Sequence, residues 1–357
     1  MEQSRKILSV VVPSYNMEAY LPRCLGSLVV PDGTLMKRLD VLVVNDGSKD
    51  RTSEIAHDFK RRYPGVFRVI DKANGNYGSC INVALPEARG VYVKILDADD
   101  WVDTATFQRF LDLLEDEVSR GKDSADLVAA NYSLVDPAGK ERARINHSFP
   151  PGRDHSLDDL APLSTRFLLQ SITYRTEVVR SIGYRQTEGV SYTDIEWTLE
   201  PMVKVKCVTF FPESVVRYLI GREGQTVDPD KYARNYDQVV QIVTGLVSRY
   251  ECRLSQCNEI SRRYFDKHFL QLLSLVYEAF CFGVQGRRVS GNLKKIDEAI
   301  RATPVLFGKT ESFRYLSKSC PVRLIRAWRR HPGRGTPALI RFGLFLRLKS
   351  LKARLRH

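Results

Sequence analysis

Tyr92-Val93-Lys94-Ile95-Leu96-Asp97-Ala98-Asp99-Asp100-Trp101 reads as a buried strand that stops abruptly in three carboxylates and an aromatic. The run up to Leu96 is apolar and β-prone apart from Lys94, as a strand covered on both faces would be. Carboxylates this close repel and raise one another's pKa, so a cation is the natural means of keeping Asp97, Asp99 and Asp100 ionised together. They offer hard oxygen ligands with no Cys or His beside them, which favours Mg²⁺ or Mn²⁺ over zinc. Taken alone, D-x-D-D is equally a solvated acidic turn capping the next helix. The sequence before it separates the two readings.

That sequence repeats one pattern. A β-branched run over 7–12 ends at Pro13 and the loop Ser14-Tyr15-Asn16, and Leu21, Cys24, Leu25 and Leu28 then fall at helical spacing. A second strand over 39–44 ends in Asn45-Asp46-Gly47-Ser48, and Asp50 or Thr52 is placed to cap a helix with Ile55, Ala56 and Phe59 inward. A third strand over 66–70 leads into the loop Ala73-Asn74-Gly75-Asn76-Tyr77-Gly78 and a short helix over 79–87. Strand, polar loop and helix in succession mean an α/β fold with a mostly parallel sheet, in which ligands bind where loops leave the carboxyl ends of strands. Tyr15 and Asn16, Asp46, Gly75 and Gly78, and Asp97 and Asp99 all fall at that edge. Turn preference alone explains any one of these clusters, but not four at one edge.

Three stretches together resemble the family 2 glycosyltransferases, which share the GT-A, Rossmann-like nucleotide-diphospho-sugar fold: Val11-Val12-Pro13-Ser14-Tyr15-Asn16-Met17-Glu18, Val43-Val44-Asn45-Asp46-Gly47-Ser48-Lys49-Asp50-Arg51-Thr52, and Leu96-Asp97-Ala98-Asp99-Asp100. The resemblance implies that Pro13, Tyr15 and Glu18 lie beside the nucleotide and that Asp46 accepts a hydrogen bond from a base N–H. Such an acceptor suits the imide N–H of uracil, since cytosine presents no donor there. The resemblance also implies that Asp97 faces the ribose or sugar, that Gly78 belongs to the nucleotide-sugar site, and that Asp99 binds Mn²⁺ or Mg²⁺ on the diphosphate.

The family also uses an acidic base downstream of the metal motif, and Thr193-Asp194-Ile195-Glu196-Trp197 matches with Asp194 in that position. Thr193 stands where Glu is frequent, a departure that bears on the acceptor environment. Capping the following helix is the alternative role for Asp194. Glu196 and Trp197 are candidates for the acceptor pocket, Trp197 equally for the core. Arg217, Arg222 and Gln225 occur where relatives carry residues that close over the diphosphate, and arginine suits phosphate through its paired N–H donors. Lys72 and Asn82 are weaker candidates of the same kind. Elsewhere a helix is expected over 104–118, a strand over 126–135, a mobile surface loop over 148–162, a helical or mixed stretch over 163–182, a strand over 207–211 and helices over 236–284.

The formal charge of +13 on 357 residues is concentrated at one end. From residue 312 onward there are thirteen Lys and Arg and no Asp or Glu, which leaves the first 311 residues balanced at 42 basic and 42 acidic. A neutral body with a basic tail argues against a nucleic-acid partner and for an electrostatic anchor. At helical spacing Ile340, Leu344, Leu348, Leu351 and Leu355 share one face with basic residues on both margins, the pattern of an in-plane membrane helix, although the same stripe can pack on the body. Trp328, Arg326, Arg329 and Arg330 are expected to add attraction for anionic lipid. The seven scattered cysteines show no C-x-x-C pair and fit free thiols in a reducing cytosol. No leader and no membrane span is expected, so the location is cytoplasmic and peripheral at the inner face of the membrane.

The expected organisation is a GT-A domain over 1–235, a helical region over 236–311 and a basic tail over 312–357. The expected activity is that of a metal-dependent, inverting hexosyltransferase moving a sugar from a nucleotide-diphospho-sugar, a UDP-sugar, to a glycan or lipid-linked acceptor in surface polysaccharide or glycolipid synthesis. The alternatives are a nucleotidyltransferase, which would carry a glycine-rich basic loop after the first strand, and a sugar-nucleotide-binding protein without turnover.

Overall fold

A computed structural model of the chain describes residues 5–147, 152–157, 167–222, 235–282, 288–315 and 323–330. Two compact units emerge, Met1–Asp228 with Gln256–Tyr264, and Pro229–Ser255 with Phe265–His357.

The first unit is built on one ten-stranded sheet. Strands β1 (Leu8–Ser14) and β2 (Leu39–Asn45) are buried at every residue, as their unbroken apolar runs require. With β3 (Phe67–Asp71) and β4 (Tyr92–Ile95) they form a parallel set in the order β3-β2-β1-β4. Helices α1 (Leu21–Ser27), α2 (Gly33–Lys37), α3 (Thr52–Arg62) and α4 (Asn76–Glu87) lie in the connections between them. Helix α4 begins earlier than the sequence suggests, at Asn76, which takes a left-handed φ of 64° after Gly75 and whose carbonyl accepts the Ser79 hydroxyl at 2.7 Å.

Beyond β4 the pairing changes hand. β9 (Ile172–Arg175) runs antiparallel to both β4 and β6 (Leu127–Val135), β7 (Glu141–Ile145) pairs antiparallel with β6, and β10 (Cys207–Leu219) is parallel to β6. β5 (Trp101–Val102) pairs antiparallel with β10 at the far end of the strand order, although it follows β4 closely in the chain. The sheet therefore curls, and the turn Asp97–Asp100, closed by a 2.9 Å bond from the Asp100 N–H to the Asp97 carbonyl, sits where it curls. Helix α5 (Thr104–Ser119) then starts on Asp103, whose side chain accepts from the Thr106 N–H.

Three expectations are corrected here. The stretch 148–162 is not simply a surface loop, since Gly152–Ser156 forms strand β8 on the edge of β10, while 148–151 and 158–162 lie outside the described residues. The strand expected over 207–211 continues through register shifts near Ser214 to Leu219. Glu196, a candidate for the acceptor pocket, is fully buried, and of the two places open to Trp197 the core is the one it takes.

The second unit is mainly helical where described, built from Tyr236–Gln256 as far as Ser255, Glu259–Phe282 from Phe265 on, Arg288–Arg301, Pro304–Ser312 and Leu324–Arg330. Its core includes Tyr250 against Phe269 and Tyr277 edge-on to Trp328. Trp328 is buried, and the Arg329 guanidinium, 5% exposed, is ion-paired with Asp297 and Glu311. Both were expected to face lipid; their apolar and ionic partners within this unit hold them inside it instead. The tail over 340–356 lies outside the described residues.

Candidate active site

The carboxyl edge gathers its polar groups through β1, β2 and β4. Ser14 pairs in register with Asn45, and the Asp46 N–H donates to the Ser14 carbonyl at 2.9 Å, so the first two loops leave the sheet side by side. Pro13 is buried within β1. Tyr15 just beyond it is 43% exposed, an aromatic left open at the mouth of the edge. Glu18 binds the next loop, its carboxylate accepting from the Arg51 N–H and its own N–H donating to Asp50. Asp46 is 3% exposed. Its Oδ1 receives the Lys72 amine at 2.6 Å and the Gly75 N–H at 3.0 Å. Lys72 also donates to the Ser79 hydroxyl at 2.8 Å, which fixes it over Asp46.

The three carboxylates of the turn separate in role. Asp100 is 1% exposed and accepts the Leu219 N–H at 2.9 Å, clipping the turn to β10. Burial, followed by Asp97 and Asp99, raises its pKa well above the usual carboxylate range. Asp97 accepts the Tyr77 hydroxyl at 2.7 Å, and burial, followed by the charge of Asp99, pushes its pKa up to about 7. Asp194 also raises it, so the helix Asp194–Leu199 brings that carboxylate close to the turn from far along the sequence. Asp99 receives two donors from Arg222 on Oδ2, Nε at 2.9 Å and Nη2 at 2.8 Å. The same guanidinium lies over the Tyr20 ring at 5.1 Å. Beneath the turn, burial lowers Lys94 to about 7, with Asp100 and Asp97 opposing; its amine donates to the Gln170 and Ile172 carbonyls.

Asp97, Asp99, Asp194 and Arg222 are thus brought together, with Asp46 and Tyr15 farther along the same edge. Arg217 and Gly78 are placed otherwise. Arg217 donates to Asp103 at 3.1 Å and to Glu141 at 2.9 Å. Its neighbour Tyr218 is the side chain facing the carboxylates: burial, then Asp100, Asp97, Asp99 and Asp194, raises its pKa. Side chains alternate along a strand, so only one of the two can face the turn. Gly78 is a helix residue whose missing Cβ would lie 2.1 Å from the Thr187 carbonyl oxygen. Asn82 likewise is engaged within the protein, accepting the Gln186 N–H and donating to the Gln186 carbonyl and Glu188. Together with the bonds from Thr187 to Glu196, this packs the segment carrying Asp194 onto α4. Tyr77, Tyr218 and Tyr20 are the site residues that sequence reasoning passed over.

Among the described residues no three His, Cys, Asp or Glu side chains form a ready-made metal cage. The donor set nonetheless fits Mg²⁺ or Mn²⁺, because such ions take one or two carboxylates and complete their shell with water and substrate phosphate. A cavity of about 710 Å³ lies elsewhere, at the opposite edge of the sheet, lined among others by Arg120, Asp126, Arg175 and Lys206, and includes none of these groups.

Comparison with known proteins follows the same lines. The model of "Glycosyl transferase family 2" matches residues 9–155. "Uncharacterized glycosyltransferase EpsJ" of Bacillus subtilis (strain 168) is 38% identical over 285 residues, covering 75% of this chain and 77% of that protein. "Uncharacterized glycosyltransferase YibD" of Escherichia coli (strain K12) is 26% identical over 70% of this chain and 74% of its own length. Among solved structures, S. aureus TarS 1–349 in complex with UDP-GlcNAc superposes with a TM-score of 0.64 at 20% identity, covering 84% of this chain and 82% of its own. The mannosyltransferase PcManGT from Pyrobaculum calidifontis, in complex with GDP-Man and Mn²⁺, gives 0.50 at 15% identity, covering 84% of this chain and 76% of its own. At these identities the structures establish a shared fold, the curled α/β sheet of the GT-A type.

Proposed function

Because the chain belongs to glycosyl transferase family 2 and is a glycosyltransferase, we propose that it is a metal-dependent, inverting hexosyltransferase that uses a UDP-sugar. The observation that carries this reading is the turn after β4, where Asp97 accepts the Tyr77 hydroxyl and Asp99 the Arg222 guanidinium, at the same carboxyl edge as Asp46. TarS, solved with UDP-GlcNAc, and PcManGT, solved with GDP-Man and Mn²⁺, share the fold and support the donor class and the metal.

In this reading Pro13, Tyr15 and Glu18 border the nucleoside, and Asp46 accepts from the imide N–H of the base. Asp97, oriented by Tyr77, faces the ribose or sugar. Asp99 holds Mn²⁺ or Mg²⁺, which when bound offsets charge on the departing diphosphate. Asp194 takes the proton of the acceptor hydroxyl as its oxygen bonds to the anomeric carbon, while the bond from that carbon to the phosphate oxygen breaks and the nucleoside diphosphate leaves with the electron pair. One displacement inverts the anomeric centre. Arg222 reaches the diphosphate from the end of β10. Arg217, paired with Asp103 and Glu141, supports β10 instead, and Gly78 supports the packing of the Asp194 segment.

The acceptor is proposed to be a glycan or lipid-linked hydroxyl of a surface polysaccharide or glycolipid. None of the helices among the described residues is long and apolar enough to cross a membrane. With Trp328 and Arg329 folded inward, peripheral attachment to the inner face of the membrane rests on residues 340–356, and so does the division of residues 312–357 from the helical region.

The test is calorimetric titration of UDP into wild type and Asp99→Ala, with and without Mn²⁺. Metal-dependent binding that disappears in the variant is expected. Absence of UDP binding under both conditions would overturn the uridine assignment.

A further inference from the structure

The Arg222–Asp99 pair stands in the place proposed for the metal. Both donated bonds end on the same oxygen, Oδ2 of Asp99, and the two side chains are only 18% and 12% exposed. A divalent cation binds a carboxylate oxygen at about 2.0–2.1 Å for Mg²⁺, closer than a guanidinium nitrogen comes. A cation on that oxygen would face the like charge of the guanidinium at short range, so the two compete for Asp99.

We propose that Arg222 is the resident cation of the donor-free site, giving up Asp99 to the divalent metal when a diphosphate arrives to receive it. The proposal rests on the reading of Asp99 as the metal carboxylate. A diphosphate offers a guanidinium paired acceptor oxygens at least as favourable as those of a carboxylate. The metal thus gains Asp99 while Arg222 gains phosphate. Metal and nucleotide then bind interdependently, and by linkage each tightens the other by the same factor. Without nucleotide, the metal must displace Arg222 from Asp99 before any phosphate is there to receive the guanidinium, so its affinity is low.

Arg222→Gln removes the competing charge while keeping a polar side chain at the rim. The full-length protein is titrated with Mn²⁺, and free metal is read from its paramagnetic resonance signal, with and without saturating UDP. The comparison set is wild type, Arg222→Gln, Asp99→Ala and Arg23→Gln. Arg23 is a nearby cation that stacks on Trp101 at 3.5 Å, outside the proposed machinery.

Arg222→Gln is expected to bind Mn²⁺ about tenfold more tightly than wild type in the absence of UDP, the size of one charge-assisted hydrogen bond. The tightening that UDP brings should shrink in that variant, and Arg23→Gln should stay within about twofold of wild type. Equal or weaker nucleotide-free binding by Arg222→Gln overturns the proposal, as does an equal gain in Arg23→Gln, which would reveal a general field effect. UDP binding by wild type with no Mn²⁺ bound at all would make Arg222 a permanent cation and overturn the exchange. UDP-dependent Mn²⁺ binding that survives Asp99→Ala would remove the premise, a failure distinct from the others.

Discussion

The Tyr77 hydroxyl donates a 2.7 Å hydrogen bond to Oδ1 of Asp97, joining the first turn of α4 to the turn that follows β4. The partners come from different strand–helix repeats, yet the bond fixes which oxygen of Asp97 is engaged. The burial and neighbouring negative charge that raise the Asp97 pKa also make this donor valuable.

Tyr77→Phe keeps the ring and deletes the donor. With Asp97 facing the donor sugar or ribose, affinity for the UDP-sugar should fall by about tenfold or more, in line with roughly 1.5–3 kcal/mol for a hydrogen bond to a charged group. UDP-sugar titration together with a thermal melt checks this. Unchanged donor affinity in a folded variant would separate Asp97 from the donor.

Asp194→Asn keeps shape but cannot take a proton from an acceptor hydroxyl. Turnover should drop by about 10²–10⁴, the range for loss of a general base, while UDP binding with Mn²⁺ stays near wild type. Turnover within a few-fold of wild type would leave Asp194 only its place in the first turn of its helix.

Gly78→Ala is expected to be the most damaging small substitution in α4. Its Cβ would stand 2.1 Å from the backbone oxygen of Thr187, which cannot yield without moving the segment that carries Asp194. Destabilisation of roughly 3 kcal/mol or more is expected from overpacking against main chain. Gly26→Ala is the control, because a Cβ there meets nothing within 4 Å. Substituting Ala for Gly in that helix should be neutral or stabilising by about 0.5–1 kcal/mol. Thermal melts of both variants decide the point.

Lys72 and Asp46 form a pair that can be tested as a pair. Lys72→Met leaves Asp46, 4% exposed in its side chain, without its cation, and should destabilise by about 3–5 kcal/mol. Adding Asp46→Asn should recover part of that loss, since the uncompensated charge is removed. Denaturant unfolding of the two single variants and the double variant gives the coupling directly. Strictly additive losses would show that the two groups do not depend on each other.

The strand–loop–helix repeats were legible because the strands are mainly apolar and β-branched: β1 and β2, broken only by Ser9 and Asp40 before their polar ends, need burial on both faces, as in the middle of a sheet. The turn carboxylates were legible for the opposite reason, since charge directly after a buried strand demands a partner. What escaped notice depends on neighbours distant in sequence. Arg217 is a candidate on residue type alone, yet pairing of β10 with β5 and β6 turns it toward Asp103 and Glu141 and leaves Tyr218 within the field of the aspartates. Gly78 looked like a loop glycine because nothing in its own stretch announces Thr187. Gly152–Ser156 was hidden because Arg, Asp and His give no apolar alternation, and its strand form comes from the open edge of β10.

His147 gives the protein a pH-dependent component of stability. It is 6% exposed, its Nε2 lies 2.8 Å from the Ser171 hydroxyl, and its ring packs against Phe167 and Phe210. Burial lowers its pKa to about 4, whereas in the unfolded chain it returns to about 6.5. Between those values the unfolded state binds the proton and the folded state does not, so stability falls as pH drops through that window. The contribution is complete above about pH 6.5 and largely lost near pH 4, on the order of 3 kcal/mol from the difference in pKa. Asp97 and Asp100, with raised values, act in the opposite sense, so wild type alone would show only the sum. Denaturant unfolding of wild type and His147→Gln from pH 4 to pH 7 isolates the histidine. The stability difference between them should change across the window in favour of wild type at higher pH. A difference independent of pH would mean that the imidazole takes up its proton equally well in the folded protein.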